Sequence, residues 1–178
     1  MNLTQRIKTS IREVQDFPKK GINFKDITPI LENPFLCAEI ITEFSRVFSP
    51  TTLDAIVGIE SRGFLFGMMI AQKLNIPFLT VRKKGKLPYK TISYKYDLEY
   101  GTAEVEMHVD SIKKGWNVLV HDDLLATGGT AAAAAELIQR QGGIVAGFAF
   151  LIELSFLNGT AKLFPYSDKI IKLATYEN

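Results

Sequence analysis

The 178-residue chain predicts an α/β domain built on a central, mostly parallel sheet flanked by helices. Short apolar runs alternate along it with segments of helical periodicity. The runs "LDAIVGI", "IPFLTV", "WNVLVH" and "GGIVAGFAFLIEL" are apolar throughout instead of half polar, as strands covered on both faces must be. No repeat or composition shift divides the chain, so residues 1–178 read as a single domain. That length is enough to bury roughly 70% of the surface its unfolded form exposes.

Each element has a local reason. Leu3, Ile7, Ile11 and Val14 recur at helical spacing and predict an amphipathic helix over residues 3–15. Pro18, Gly21 and Pro29 then break the period, so "DFPKKGINFKDITPIL" reads as an extended segment. Asn33 followed by Pro34 is an N-cap and first-turn pair for a helix to about Phe48. "LDAIVGI" is a strand, "GFLFGMMIAQKL" a helix and "IPFLTV" a second strand. "TISYKYDLEYGTAEVEMHV" alternates apolar and polar residues around a "YGT" turn, which predicts an antiparallel excursion or a long, lid-like loop. "WNVLVH" is a third strand, the alanines from Ala131 to Ala135 form a helix, and "GGIVAGFAFLIEL" is a fourth strand.

Composition narrows the function classes. Lys and Arg number 21 against 19 Asp and Glu, so bulk charge implies no nucleic-acid partner. No apolar stretch reaches the roughly 18 residues of a membrane span, and the opening "MNLTQRIKTSIREV" has no uninterrupted apolar core. The lone Cys37 excludes an internal disulfide and reads as a small buried hydrophobe. A cytoplasmic, soluble protein without a membrane partner is expected.

The chemistry concentrates in "VLVHDDLLATGGT". Asp122 and Asp123 stand at the carboxyl end of a buried strand, where open parallel sheets bind ligands. Side chains alternate along a strand, so both acids can serve one site only if the chain turns there, as "LLATGGT" suggests. Beyond Ala126, Gly128 and Gly129 let backbone N–H groups approach a ligand, Thr127 and Thr130 add hydroxyls, and the helix that follows offers its positive end. Neither G-x-x-x-x-G-K-[ST] nor a strand followed by G-x-G-x-x-G occurs. Aspartates and "TGG" also build ordinary turns. Carboxylates beside an anion cradle suit sugar hydroxyls or magnesium beside a phosphate, and a phosphorylated ribose satisfies both.

In that order these residues resemble the 5-phosphoribosyl 1-pyrophosphate (PRPP) motif of the type I phosphoribosyltransferases, and "DDLLATGGT" is similar to the form in the adenine-specific members. The resemblance extends from "DFP" to "FLIEL" and implies the type I phosphoribosyltransferase fold. It implies a small hood over roughly residues 1–33 and a flexible catalytic loop over roughly 90–101. It further implies a pentosyltransferase that joins adenine and PRPP into AMP and pyrophosphate in purine salvage, with Mg2+ carried on PRPP and none held directly by protein ligands. A homodimer is the implied assembly. A 6-oxopurine substrate or a non-catalytic PRPP-sensing regulator are the alternatives.

Other segments take meaning beside it. "GIESRGFLFG" reads as a charged turn with a Glu60–Arg62 ion pair, or as a second anion site using Arg62. The resemblance makes it a pyrophosphate loop, with an unusual peptide conformation before Ser61. Ser61 and Arg62 join Arg82 and Lys86 of the basic "VRKKGKLP", together with Tyr100, as implied pyrophosphate contacts. Glu99 of "EYGT" is the implied proton-transfer residue, a general acid worth about 10² to 10⁴ in rate. Phe24 is the implied adenine stacker, flanked by Asn23 and Lys25 where many relatives carry an aliphatic residue and an arginine. His121 is a further departure, at a position usually aliphatic, and has no assigned role.

Overall fold

The helix expected over residues 3–15 stops early in the computed structural model, which describes residues 1–49, 51–98 and 101–177. Helix α1 spans Leu3–Ser10, closed at its start by an Asn2–Gln5 capping box. Strand β1 (Arg12–Gln15) follows, antiparallel to β2 (Asn23–Asp26) with Val14 opposite Phe24. The reason is a turn that the helical spacing of Ile11 and Val14 does not register. Asp16 adopts φ 57° and its side chain accepts the Gly21 N–H at 2.6 Å, which returns the chain alongside itself.

The next elements are α2 (Thr28–Leu31), α3 (Pro34–Phe48) with Asn33 accepting the Leu36 N–H, β3 (Ala55–Ile59), α4 (Gly63–Leu74) and β4 (Phe78–Lys83). The chain continues as β5 (Thr91–Asp97), β6 (Thr102–His108), β7 (Asn117–Leu125), α5 (Gly129–Arg140), β8 (Ile144–Leu154) and β9 (Ile170–Tyr176). Among the described residues the main sheet runs β5-β6-β4-β3-β7-β8-β9. Its β4-β3-β7-β8-β9 section is parallel, and the β5–β6 hairpin joins antiparallel to β4. The alternating "TISYKYD" and "TAEVEMH" are thus paired strands, and most of the loop expected over 90–101 is the outer strand of that hairpin. Strand β9 has no counterpart in the sequence reading. No helix among the described residues is long and apolar enough to cross a membrane.

Both sheet faces are buried. Ile56 and Leu119 join Phe44, Phe48, Phe66 and Ile70 of α3 and α4 on one side. Val57, Val118 and Val120 meet Ala131, Ala134, Ala135 and Leu137 of α5 on the other, where small alanines allow close approach. Helix α1 is fastened to this body by the Thr4 hydroxyl, which donates to the Leu173 carbonyl at 2.8 Å. Cys37 is buried, its thiol against the Ile30 carbonyl.

His121 lies in this core, fully buried with its ring edge-on to Phe44 and neither ring nitrogen in a hydrogen bond of ordinary geometry. Burial pushes its pKa down to about 4, against a weaker opposing pull from the Ala149 backbone. The folded value lies below the ordinary 6.5, so the unfolded chain binds the proton more readily and stability drains away as pH falls from about 6.5 toward 4. The loss is on the order of 3 kcal/mol. His121→Val should remove most of that pH dependence, read as the urea midpoint at pH 7 and 4.5; equal acid sensitivity in both proteins would contradict it.

Candidate active site

Strand β7 does not end before the acids. It runs through Leu125, with Asp122 opposite Phe150 and Leu124 opposite Ile152 on β8. The turn expected at the acid pair therefore comes later, after Leu125. The carboxylates nevertheless share a cavity of about 530 Å³, lined by Phe24, Glu60, Ser61, Arg62, Lys83, Lys86, Asp122 and Asp123. Asp123 is 2% exposed, and its N–H donates to Asp122 Oδ1 at 2.9 Å. Burial first, then repulsion from Asp123, raises the pKa of Asp122 well above the ordinary value. Burial raises that of Asp123 as well, against the attraction of Arg62. This is a pair held at a cost in the free protein, and it suits a ligand that brings donors or a cation.

Asp122 also reaches the glycine loop. With Leu124, Leu125, Phe150 and the stretch Ala126–Ala131 it encloses a pocket of about 70 Å³, small enough for one phosphate-sized group. Gly128 takes φ +77°, and a Cβ there would strike the Gly159 carbonyl oxygen. The N-terminal turn of α5 begins at Gly129 and directs its unpaired N–H groups and positive dipole end at this pocket. From β5 the Tyr96 hydroxyl meets Thr130 Oγ1 at 2.8 Å, a contact across the sheet edge that sequence spacing does not announce.

Glu60, Ser61 and Arg62 sit where β3 passes into α4. The Glu60–Ser61 peptide bond is cis, the unusual conformation implied before Ser61. The Glu60–Arg62 pair does not form. Glu60 N–H bonds to the Val81 carbonyl, setting the ends of β3 and β4 side by side, and Arg82 reaches Glu60 Oε1 at 2.8 Å. That hydrogen bond is the largest cause holding the Glu60 carboxyl below its ordinary pKa. Arg62 instead places Nε 3.1 Å from Asp123 Oδ2, with its guanidinium 5.0 Å from the Phe24 ring centroid. A planar base stacking on that face of Phe24 must displace it.

Phe24, Ser61, Arg62, Lys86, Asp122 and Asp123 are thus brought together. Arg82 lines an adjoining cavity of about 430 Å³ with Glu60, Lys83, Lys84, Tyr96, Asp122 and Thr130. The flanks of Phe24 behave differently. Asn23 donates its side chain to Glu13 at 2.9 Å. Lys25, only 4% exposed, sets Nζ 2.5 Å from Glu13 and 4.4 Å over the Tyr176 ring. Alternation along β2 turns Lys25 away from Phe24, and neither flanking residue lines the cavity. Glu99 and Tyr100 lie outside the described residues. Among the described residues no group of three or more His, Cys, Asp or Glu could hold a metal ion.

The phosphoribosyl transferase domain model matches residues 26–172. The adenine phosphoribosyltransferase of Cytophaga hutchinsonii is 49% identical over 174 residues, covering 98% of this chain and 96% of that protein. That of Acetivibrio thermocellus is 52% identical over 166 residues, covering 93% and 97%. In structure, the chain is similar to adenine phosphoribosyltransferase from Thermoanaerobacter pseudethanolicus, with TM-score 0.94 and 47% identity over 98% of this chain and 100% of that one. The Saccharomyces cerevisiae enzyme, complexed with an imino-altritol bisphosphate and adenine, matches with TM-score 0.89 and 39% identity over 96% and 98%.

Proposed function

The chain belongs to the phosphoribosyl transferase domain family, and from that premise we propose that it transfers the 5-phosphoribosyl group of PRPP to N9 of adenine, releasing AMP and pyrophosphate. The observation that carries the reading is one continuous site. The acid-lined cavity holds Phe24 and Arg62, and Asp122 leads from it into the phosphate-sized pocket of the glycine loop.

On this reading Thr127–Thr130 and the N-terminus of α5 hold the 5-phosphate, and Asp122 and Asp123 accept hydrogen bonds from the ribose hydroxyls. Ser61, Arg62 and Lys86 meet the pyrophosphate. Arg82 has its guanidinium committed to Glu60 and the Lys86 carbonyl, so it contributes chiefly by shaping that wall. Phe24 stacks on the base once Arg62 turns to the phosphates, with the backbone of Asn23 and Lys25 at the ring edge. N9 replaces pyrophosphate at C1 of the ribose through a transition state with oxocarbenium character. Holding the reactants in line can supply roughly 7 to 11 kcal/mol of the barrier. The β5–β6 hairpin, closing over the site, excludes water from the cation, and Glu99 handles the base proton.

Two carboxylates alone cannot fill the oxygen shell of Mg2+, so the ion would arrive on PRPP, held by oxygens of that substrate beside the ribose that Asp122 and Asp123 orient. Carried on PRPP, magnesium would neutralise charge on the departing pyrophosphate. The exposed apolar Leu65 and Met68, one turn apart on α4, offer a surface for the homodimer. The buried Cys37 suits a reducing cytoplasm.

Incubation with PRPP, magnesium and adenine, hypoxanthine or guanine in turn tests the proposal. AMP and pyrophosphate should form with adenine alone. Product from the 6-oxopurines only would transfer the activity to those bases, and PRPP binding without any product would leave a sensor.

A further inference from the structure

Glu106 on β6 is 2% exposed, and no step above uses it. Its Oε1 accepts the backbone N–H groups of Lys86 and Leu87, both at 2.9 Å. Its Oε2 accepts the Thr91 hydroxyl at 3.0 Å and lies 3.4 Å from Lys84 Nζ. Burial pushes its pKa up, but the Leu87 N–H, the Thr91 hydroxyl and Lys84 together hold it below the ordinary carboxylate value. From the other side Arg82, opposite Glu106 in the β4–β6 ladder, donates Nη1 to the Lys86 carbonyl at 2.9 Å. Both backbone groups of Lys86 are therefore fastened, while its side chain lines the cavity of Arg62 and the acid pair.

A lysine on a loose turn must be ordered when the anion arrives; one on a fixed turn need not be. We propose that Glu106 is a positioning residue for the pyrophosphate half of PRPP, folding the turn through Lys86 and Leu87 so that Lys86 stands at the cavity before substrate binds. The inference rests on the reading of PRPP as substrate. Because Thr91 opens β5, the same carboxylate also ties the basic turn to the base of the hairpin.

Glu106→Gln keeps the shape but replaces one acceptor oxygen with an amide that repels the donors around it. The KM for PRPP should rise about tenfold, while kcat and the KM for adenine stay within roughly twofold. If Glu106 acts through Lys86, the Glu106→Gln/Lys86→Met double variant should be no worse in PRPP KM than Lys86→Met alone. Multiplying losses would mean a general structural role and overturn the proposal, as would an unmoved PRPP KM in Glu106→Gln. Should Glu106→Gln not fold, Glu106→Asp decides: it keeps the charge but shortens the reach to the Lys86 and Leu87 N–H groups, and a rise in PRPP KM with kcat unchanged is expected, while no rise overturns the idea. A wild-type protein that makes no AMP from adenine and PRPP would defeat the parent reading, and is detected before any variant is compared.

Discussion

Asp123→Asn should cut kcat/KM for PRPP by roughly 30- to 1,000-fold, about 2–4 kcal/mol, while leaving the free protein as stable as before or more so. The first half follows from position: Asp123 lines the cavity beside Asp122, and an amide cannot replace a charged acceptor of ribose hydroxyls. The second follows from electrostatics. Burial raises both carboxyl pKa values, and repulsion from Asp123 raises that of Asp122 further, so the folded protein binds these protons more readily than the unfolded chain. The pair costs nothing below the ordinary value of 3.8, and its cost grows as pH climbs through the raised values. Removing one charge should therefore widen the stability advantage of the variant as pH rises from 4 to 8. Arg62 loses its partner, but at 34% side-chain exposure water can take over. Steady-state kinetics beside urea unfolding across pH measure both halves; a folded Asp123→Asn protein with ordinary turnover would remove the ribose assignment.

Gly128→Ala should be the most damaging small change to the phosphate pocket. A left-handed φ of +77° disfavours any Cβ, and this one would strike the Gly159 carbonyl oxygen, a backbone atom with no rotamer to yield. A loss of ~2–4 kcal/mol is expected, lowering Tm by roughly 5–15 °C, with PRPP KM raised more than about tenfold. Gly159→Ala separates the causes. Gly159 has no left-handed φ, and its added Cβ would meet the Ala126 carbonyl oxygen from behind the loop. It lines none of the cavities described, yet its substitution should also raise PRPP KM. A Gly159→Ala protein that is less stable but binds PRPP normally would show that the loop keeps its shape without that support.

What could be read from the chain was local in origin. Asn33 capping α3, the limits of α4, and the alanine helix opening after "TGG" depend on residues within a turn or two of one another. The three-residue spacing of Ile11 and Val14 fits a helix, but residues 12–15 form a strand because pairing with β2 across a stapled turn outweighs that local pattern. Strand β9 similarly owes its place to the open edge of β8.

The sequence by itself determined the alternation of strands and helices, the glycine-threonine cradle and the presence of two acids beside it. Only the tertiary structure decided that Glu60 takes Arg82, that Arg62 takes Asp123 and covers Phe24, that Lys25 turns to Glu13, and that Glu106 carries the basic turn. Periodicity and caps are short-range and written in neighbouring residues, whereas a charged side chain takes the opposite charge that packing places within reach, and distance along the chain says little about which that is.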